Sequence, residues 1–141
     1  VNVLQAVILT DGAKMICTPT YHVFELYKAH HDANYLPSAI TCGECSGVKQ
    51  LTATASEKEG VITLTATNTS CTDALDVVVH LSGASAKNVT ARILTGDMHD
   101  KNTFEDAEKV TVKPFDAVRM TETGLTMTLP ACSVVEVTIR G

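Results

Sequence analysis

Two cysteines held two residues apart, in Cys42-Gly43-Glu44-Cys45, give the sharpest chemical spacing in the sequence. Thiolates at that interval can occupy two positions of a tetrahedral zinc ion or cycle as a redox pair. A zinc knuckle needs a second pair, but Cys17, Cys71 and Cys132 stand alone and no histidine lies at ligand spacing. The motif opens no helix of the thioredoxin kind either, so it reads as a loop that holds two thiols. Asp97, His99, Asp100 and Asn102 form the densest polar cluster, in GDMHDKN. Their oxygens suit a hard cation, yet the glycine and distal glutamate of a calcium loop are missing, and a solvated turn accounts for them. His22, His30 and His31 fall on one segment without i,i+4 metal spacing; His30 lies on its apolar side and reads as a satisfied core histidine. Neither a metal nor any other cofactor is assigned.

No serine or cysteine nucleophile signature and no glycine-rich phosphate loop occurs. Two carboxylates could act as acid and nucleophile, but Glu44, Glu57, Glu59, Glu105, Glu108 and Glu122 fall in turns or polar runs, away from buried strand ends where a tuned pair belongs. No catalytic residue is assigned. Gln5 stands out because it interrupts an apolar run, and a buried amide without partners costs about 1–3 kcal/mol. Two readings are open: a core amide bonded to backbone, or a side chain near the carboxyl end of a barrel strand that hydrogen-bonds a ligand hydroxyl.

The elements that position these residues divide in two. Val1 to Thr10 is nearly continuous in apolar residues, as in a strand covered on both faces. Asp11-Gly12 marks a turn, after which Met15-Ile16-Cys17 either pairs back or extends a loop. Thr18 as cap, Pro19 at the first position and Val23, Leu26, Tyr27 and His30 at helical spacing predict a helix over 19–31, closed off by Pro37. From about Ile40 the period becomes two. Val61–Thr67 places Ile62, Leu64 and Ala66 on one side and threonines on the other; Leu75–Leu81, Val89–Leu94, Val110–Lys113, Ala117–Thr121, Leu125–Leu129 and Val134–Ile139 continue the series. Turn residues separate them, and β-branched threonines favour extended backbone. The expected fold is mainly β: an antiparallel, jelly-roll-like β-sandwich over 37–141, preceded by one strand and one helix in 1–36 that must bury their apolar faces on something.

Composition narrows the function. With 11 Lys+Arg against 16 Asp+Glu the net charge is −5, which argues against nucleic acid as a partner. No apolar run approaches the roughly 20 residues of a membrane span, and no leader-like segment opens the sequence, which starts mid-strand as though cut from something longer. Five scattered cysteines suggest reduced thiols and a cytoplasmic setting. Asn68-Thr69-Ser70 and Asn88-Val89-Thr90 match the glycosylation pattern by coincidence.

The run VNVLQAVILTDGAKMICTPTYHVFELYKAHHDANYLP, residues 1–37, resembles the segment that closes the catalytic (β/α)8 barrel of family 51 glycoside hydrolases, the intracellular α-L-arabinofuranosidases. TGDMHDKNTFEDAEKV is similar to that family's sandwich loop, and LPACSVVEVTIR to its terminal strand; Cys17 and Ala107 depart from the pattern. The resemblance implies that the first strand and helix are the end of the barrel and the rest its carboxyl-terminal sandwich. It implies a parent enzyme that removes terminal α-L-arabinofuranosyl groups from arabinan or arabinoxylan oligosaccharides with retention, commonly as a homo-oligomer. Its two catalytic glutamates lie on earlier barrel strands, to which no position here corresponds. By position, the arabinose-binding glutamine of the last strand is Gln5. The chain alone is then an inactive accessory piece whose partner is the catalytic barrel.

Two other readings compete: a carbohydrate-binding sandwich, or a purely structural interaction domain. The first needs exposed aromatic platforms. Trp is absent, Tyr21, Phe24, Tyr27 and Tyr35 belong to the helix or its exit, and only Phe104 and Phe115 remain for the sandwich.

Overall fold

A computed structural model describes residues 6–141. Strands β1 (Ile8–Asp11) and β2 (Lys14–Cys17) form an antiparallel hairpin, with Leu9 opposite Ile16. The described part of the expected first strand therefore pairs back on Met15-Ile16-Cys17. It is not covered on both faces: Ile16 is buried while Ile8 and Met15 are exposed, because no described element lies over that side. Helix α1 (Pro19–Tyr27) follows with Pro19 at its start, then a 3-10 turn over Lys28–His30, and Asp32 at φ 55° ends the run. Thr18 precedes the helix without capping it. Its hydroxyl donates instead to the Ala6 and Val7 carbonyls, at 2.8 and 3.1 Å, and so ties the helix start to the hairpin.

The remainder is a sandwich of two antiparallel sheets. β3 (Asn34–Leu36), a short hairpin of β4 (Glu44–Cys45) and β5 (Val48–Lys49), β6 (Leu51–Lys58), β7 (Val61–Asn68), β8 (Leu75–His80), β9 (Asn88–Thr95), β10 (Lys113–Pro114), β11 (Val118–Thr121), β12 (Gly124–Leu129) and β13 (Ser133–Arg140) follow in chain order. One sheet runs β10-β9-β13-β7-β6-β3, and the facing one β11-β12-β8. Between them Leu64, Ala66, Val135, Val137 and Ile139 meet Val77, Leu125, Met127 and Leu129. These are the inward residues of the period-two pattern, so the strands of 61–68, 75–80, 88–95, 124–129 and 133–140 stand where alternation predicts them.

Two elements differ from expectation. β6 is not legible in the sequence, because after Leu51 its inward positions, Ala53 and Ala55, are small and the rest is Thr, Ser, Glu and Lys. Val110–Lys113 forms no full strand; only Lys113 and Pro114 pair, with β9, and Val110 turns inward to pack on Leu26 and Leu94.

Glu59 at φ 54° and Gly60 at φ 79° make the two-residue turn between β6 and β7 that matches strand twist. Gly124 opens β12 at φ 157°, opposite His80, where an added Cβ would stand 2.0 Å from the Val79 carbonyl oxygen. That clash is with backbone and cannot be relieved by a rotamer change. Gly124→Ala is expected to lower the unfolding free energy by about 2 kcal/mol or more, measured as a shifted urea midpoint; an unchanged midpoint would contradict this packing.

Candidate functional site

The outer face of the six-stranded sheet is where the polar and ionisable groups of the chain gather. Alternation predicted solvent for the threonines of β7, yet Thr63 and Thr65 are buried. Helix α1 and the turn after it lie over them. Leu26, fully buried, packs on Leu94 and Val110 with Val23, Val112 and Val134 around it. Burying one leucine contributes roughly 1.5–3 kcal/mol, so this small second core is the apolar part of the joint.

Its polar part is an ion-pair chain. Arg92 of β9 stands directly opposite Glu136 of β13. Its Nε donates to Glu136 Oε2 at 2.7 Å, and its Nη1 to Glu25 Oε1 of α1 at 3.1 Å. Glu25 also meets His22 Nδ1 at 3.3 Å. The Glu136 side chain is only 7% exposed, so removing the guanidinium would leave a carboxylate without its partner in a dry place. Glu136 and Glu25 are both engaged by Arg92. A retaining glycosidase pair needs one carboxylate free to attack and the other to pass a proton. This pair fastens helix to sheet.

His30 reads as the sequence suggested. Nδ1 lies 2.7 Å from Ser56 Oγ and Nε2 2.8 Å from Thr65 Oγ1, one hydroxyl on each side of the ring. Burial pushes its pKa below the ordinary 6.5, against a smaller upward pull from Glu136.

Asn102 is not solvated. Its amide nitrogen donates to the carbonyls of Cys17 and Val110, each at 2.9 Å, and its oxygen accepts from the Val110 N–H at 2.8 Å. One side chain thus joins the β1–β2 hairpin to the segment beneath α1. Asp100 pairs with Lys109 at 2.8 Å and accepts from the Asp97 N–H, which holds its carboxyl below the usual range. The cluster in GDMHDKN is therefore a folded loop whose polar atoms serve each other. No group of three metal-ligating His, Cys, Asp or Glu side chains occurs among the described residues. Cys42 and Cys45 lie at the β4–β5 hairpin, and the Cys42 thiol donates to the Leu51 carbonyl at 3.7 Å. Asn68, nominally a glycosylation acceptor, is buried; its nitrogen donates to the Asp73, Leu129 and Pro130 carbonyls and its oxygen accepts from Ser70 N–H.

Gln5 lies outside the described residues. The cavity between the sheets, about 540 Å3, is walled mostly by apolar side chains such as Leu64, Val77, Val79 and Met127, with Ser38, Thr41, His80 and Ser82 as its polar side chains and no Phe, Tyr, Trp or carboxylate. The surface of the amino-terminal unit is different: Ile8, Met15 and Phe24 are large and exposed, Phe24 by 64%, and Tyr35 of β3 by 69%.

The sequence could have yielded the Arg92–Glu136 pair, since aligning β9 and β13 antiparallel sets them opposite; Glu25 and Asn102 depended on where α1 came to rest.

The fold and this joint define an accessory β-sandwich with a strand–helix unit fastened to one sheet. Residues 1–133 match the family described as the alpha-L-arabinofuranosidase C-terminal domain, and the chain belongs to that family. An intracellular exo-alpha-L-arabinofuranosidase of Bacteroides ovatus is 38% identical over 147 residues, covering 99% of this chain and 29% of that protein. The structure of a family 51 arabinofuranosidase from Xanthomonas axonopodis pv. citri superposes with a TM-score of 0.89 at 34% identity, covering 99% of this chain and 29% of the other. A family 51 alpha-L-arabinofuranosidase from Bifidobacterium longum gives 0.83 at 26% identity, over 96% and 28%. The chain thus spans under a third of the length of these relatives. No helix among the described residues is long and apolar enough to cross a membrane.

Because His30 in the folded chain holds its proton less tightly than in the unfolded one, acid favours unfolding. Its contribution is complete above about pH 6.5 and lost as pH falls through the lower folded value. Urea unfolding at steps from pH 7.5 to 5 should show stability declining below 6.5, and His30→Gln should flatten that decline; an equal slope in both proteins would contradict it. Carboxylates held low, Asp100 and Glu57, act only at more acid pH.

Proposed function

We propose that this chain is the accessory part of a retaining exo-acting α-L-arabinofuranosidase, which removes terminal non-reducing α-L-arabinofuranosyl residues from arabinan and arabinoxylan oligosaccharides. The observation that carries the reading is a family match running through the strand–helix unit and into the last strand, at high structural similarity, on a chain covering 29% of the enzymes it resembles. Residues 1–36 are read as the end of the catalytic barrel and 37–141 as the sandwich, with β3 of the first part already paired to β6.

In this reading the chain performs no bond cleavage. Retention requires two carboxyl groups about 5–5.5 Å apart across the scissile bond, one as nucleophile and one as acid and then base. Glu25 and Glu136 are spent on Arg92, and the remaining acidic residues are surface or loop groups. What the chain supplies is a rigid seat for the barrel, with Ile8, Met15 and Phe24 as its apolar contact, and Gln5, whose amide would both donate to and accept from arabinose hydroxyls. No cofactor is required. The intact protein is proposed to be cytoplasmic, consistent with the name of its Bacteroides relative, and to assemble with copies of itself.

The purified chain is expected to leave 4-nitrophenyl α-L-arabinofuranoside untouched, to pass unretained over arabinan and xylan, and to self-associate at high concentration through its apolar face, less so with Phe24→Asp. Turnover of the chromogenic substrate would overturn the accessory reading. Retention on polysaccharide would favour a carbohydrate-binding sandwich instead.

A further inference from the structure

Three sulfur atoms meet at one corner of the sandwich, where the loop after β7 passes the turn into β13. Antiparallel pairing sets Asn68 opposite Ser133, and just beyond that pair the Cys132 N–H donates to the Ser70 carbonyl at 2.8 Å. The bond sets Cys132 beside the Ser70-Cys71 segment, and the Cys71 thiol acts on the Cys132 thiol. The Cys71 thiol donates in turn to Met98 Sδ, 3.6 Å away on the loop after β9. Cys71 and Met98 are exposed and Cys132 half-buried. Cys132 sits at φ 48°, a conformation that costs a non-glycine residue roughly 1–3 kcal/mol, so this thiol is presented at an energetic cost.

We propose that Cys71, Cys132 and Met98 form a binding site for one soft monovalent d10 cation of the copper(I) or silver(I) class. Thiolate and thioether sulfurs are the ligands such ions select. Metal–sulfur bonds near 2.3 Å place the sulfurs of a trigonal set about 4 Å apart, close to the 3.6 Å between Cys71 and Met98 as they stand. A disulfide would instead require the sulfurs at about 2.05 Å, and both cysteines are free thiols. Zinc is disfavoured because its four positions take Cys, His and carboxylate ligands, and a thioether is not among them. The carboxylate of Asp97 acts on Cys132 electrostatically, and its negative charge favours a cation here. A metal binds the thiolates, so it must displace the proton of each thiol.

The step balances without redox change. One cation and two thiols give a bis-thiolate complex of charge −1 and two protons released to solvent, while the thioether donates a lone pair and loses nothing. Affinity therefore rises with pH.

The test is competition under anaerobic conditions for copper(I) held by bicinchoninate, read from the absorbance of the chelate, with circular dichroism confirming that each variant is folded. The 141-residue chain is expected to withdraw one equivalent, and more firmly at pH 8 than at pH 6. Cys71→Ser and Cys132→Ser should each weaken retention at least tenfold and Met98→Leu severalfold, whereas Cys42→Ser combined with Cys45→Ser should leave it unchanged. Met98→Leu, at an exposed position, keeps the test open should Cys132→Ser unsettle its turn. A chain that takes no copper overturns the site. So does retention by Cys71→Ser equal to the original chain, full retention by Met98→Leu, or loss only when Cys42 and Cys45 are replaced.

Discussion

The constraint on which the structure depends is that β7 and β13, at the centre of the six-stranded sheet, are covered on both faces over most of their length. Their inner residues belong to the sandwich core. Their outer residues include Thr63, Thr65 and Glu136, all buried and all polar. Polar groups removed from water need partners, or each costs a few kcal/mol. The partners come from the helix, its exit and the neighbouring strand: His30 and the Leu26 backbone carbonyl, 3.5 Å from Thr65 Oγ1, for Thr65, and Arg92 of β9, itself held by Glu25 of α1, for Glu136. The sandwich and the amino-terminal unit are thereby parts of one cooperative structure, although their sequences differ in texture.

This joint also sets the orientation of what faces outward. Asn102 holds the hairpin by the Cys17 carbonyl, Thr18 holds the strand before it, and the helix is fixed on the opposite side by Leu26. Ile8, Met15 and Phe24 are therefore exposed on elements that these bonds tie to the sheet. The ionisable groups nearby do structural work. The carboxylates Glu25 and Glu136 come together around a guanidinium, and the space between the sheets is lined mostly by apolar side chains and by no carboxylate.

Much of this was legible in the sequence because strand alternation is a local signal. Val135, Val137 and Ile139 on one side of β13 and Leu125, Met127 and Leu129 in β12 announce their inward faces directly. β6 was hidden because alanine and threonine carry little contrast between faces. The burial of Thr63 and Thr65 was misread because period two says which residues share a face and says nothing of what covers it. His30 was recognised from its place on the apolar side of a helix, and its two hydroxyl partners fit that reading. Residue type alone gives Asn102 a solvated turn because Asp and Asn populate loops, whereas its role arises from three backbone groups, two on Val110 and one on Cys17, far away in the sequence. Thr18 has the residue type and position of a helix cap, but carbonyls of the preceding segment capture its hydroxyl. The metal-like spacing of Cys42 and Cys45 carried no ligand set, while Cys71, Cys132 and Met98, scattered along the chain, are the sulfurs that converge.

The central claim is that helix α1 and the six-stranded sheet form one cooperative unit joined through Arg92. Native-state hydrogen exchange tests it most directly, by comparing amides of Val23–Tyr27 with those of β7 and β13 in the original chain and in Arg92→Leu. The account predicts that helix and central strands open with the same free energy, within about 1 kcal/mol, and that Arg92→Leu lowers both together. Helix amides that exchange through easy local opening while β7 and β13 keep full protection, in either protein, would contradict it.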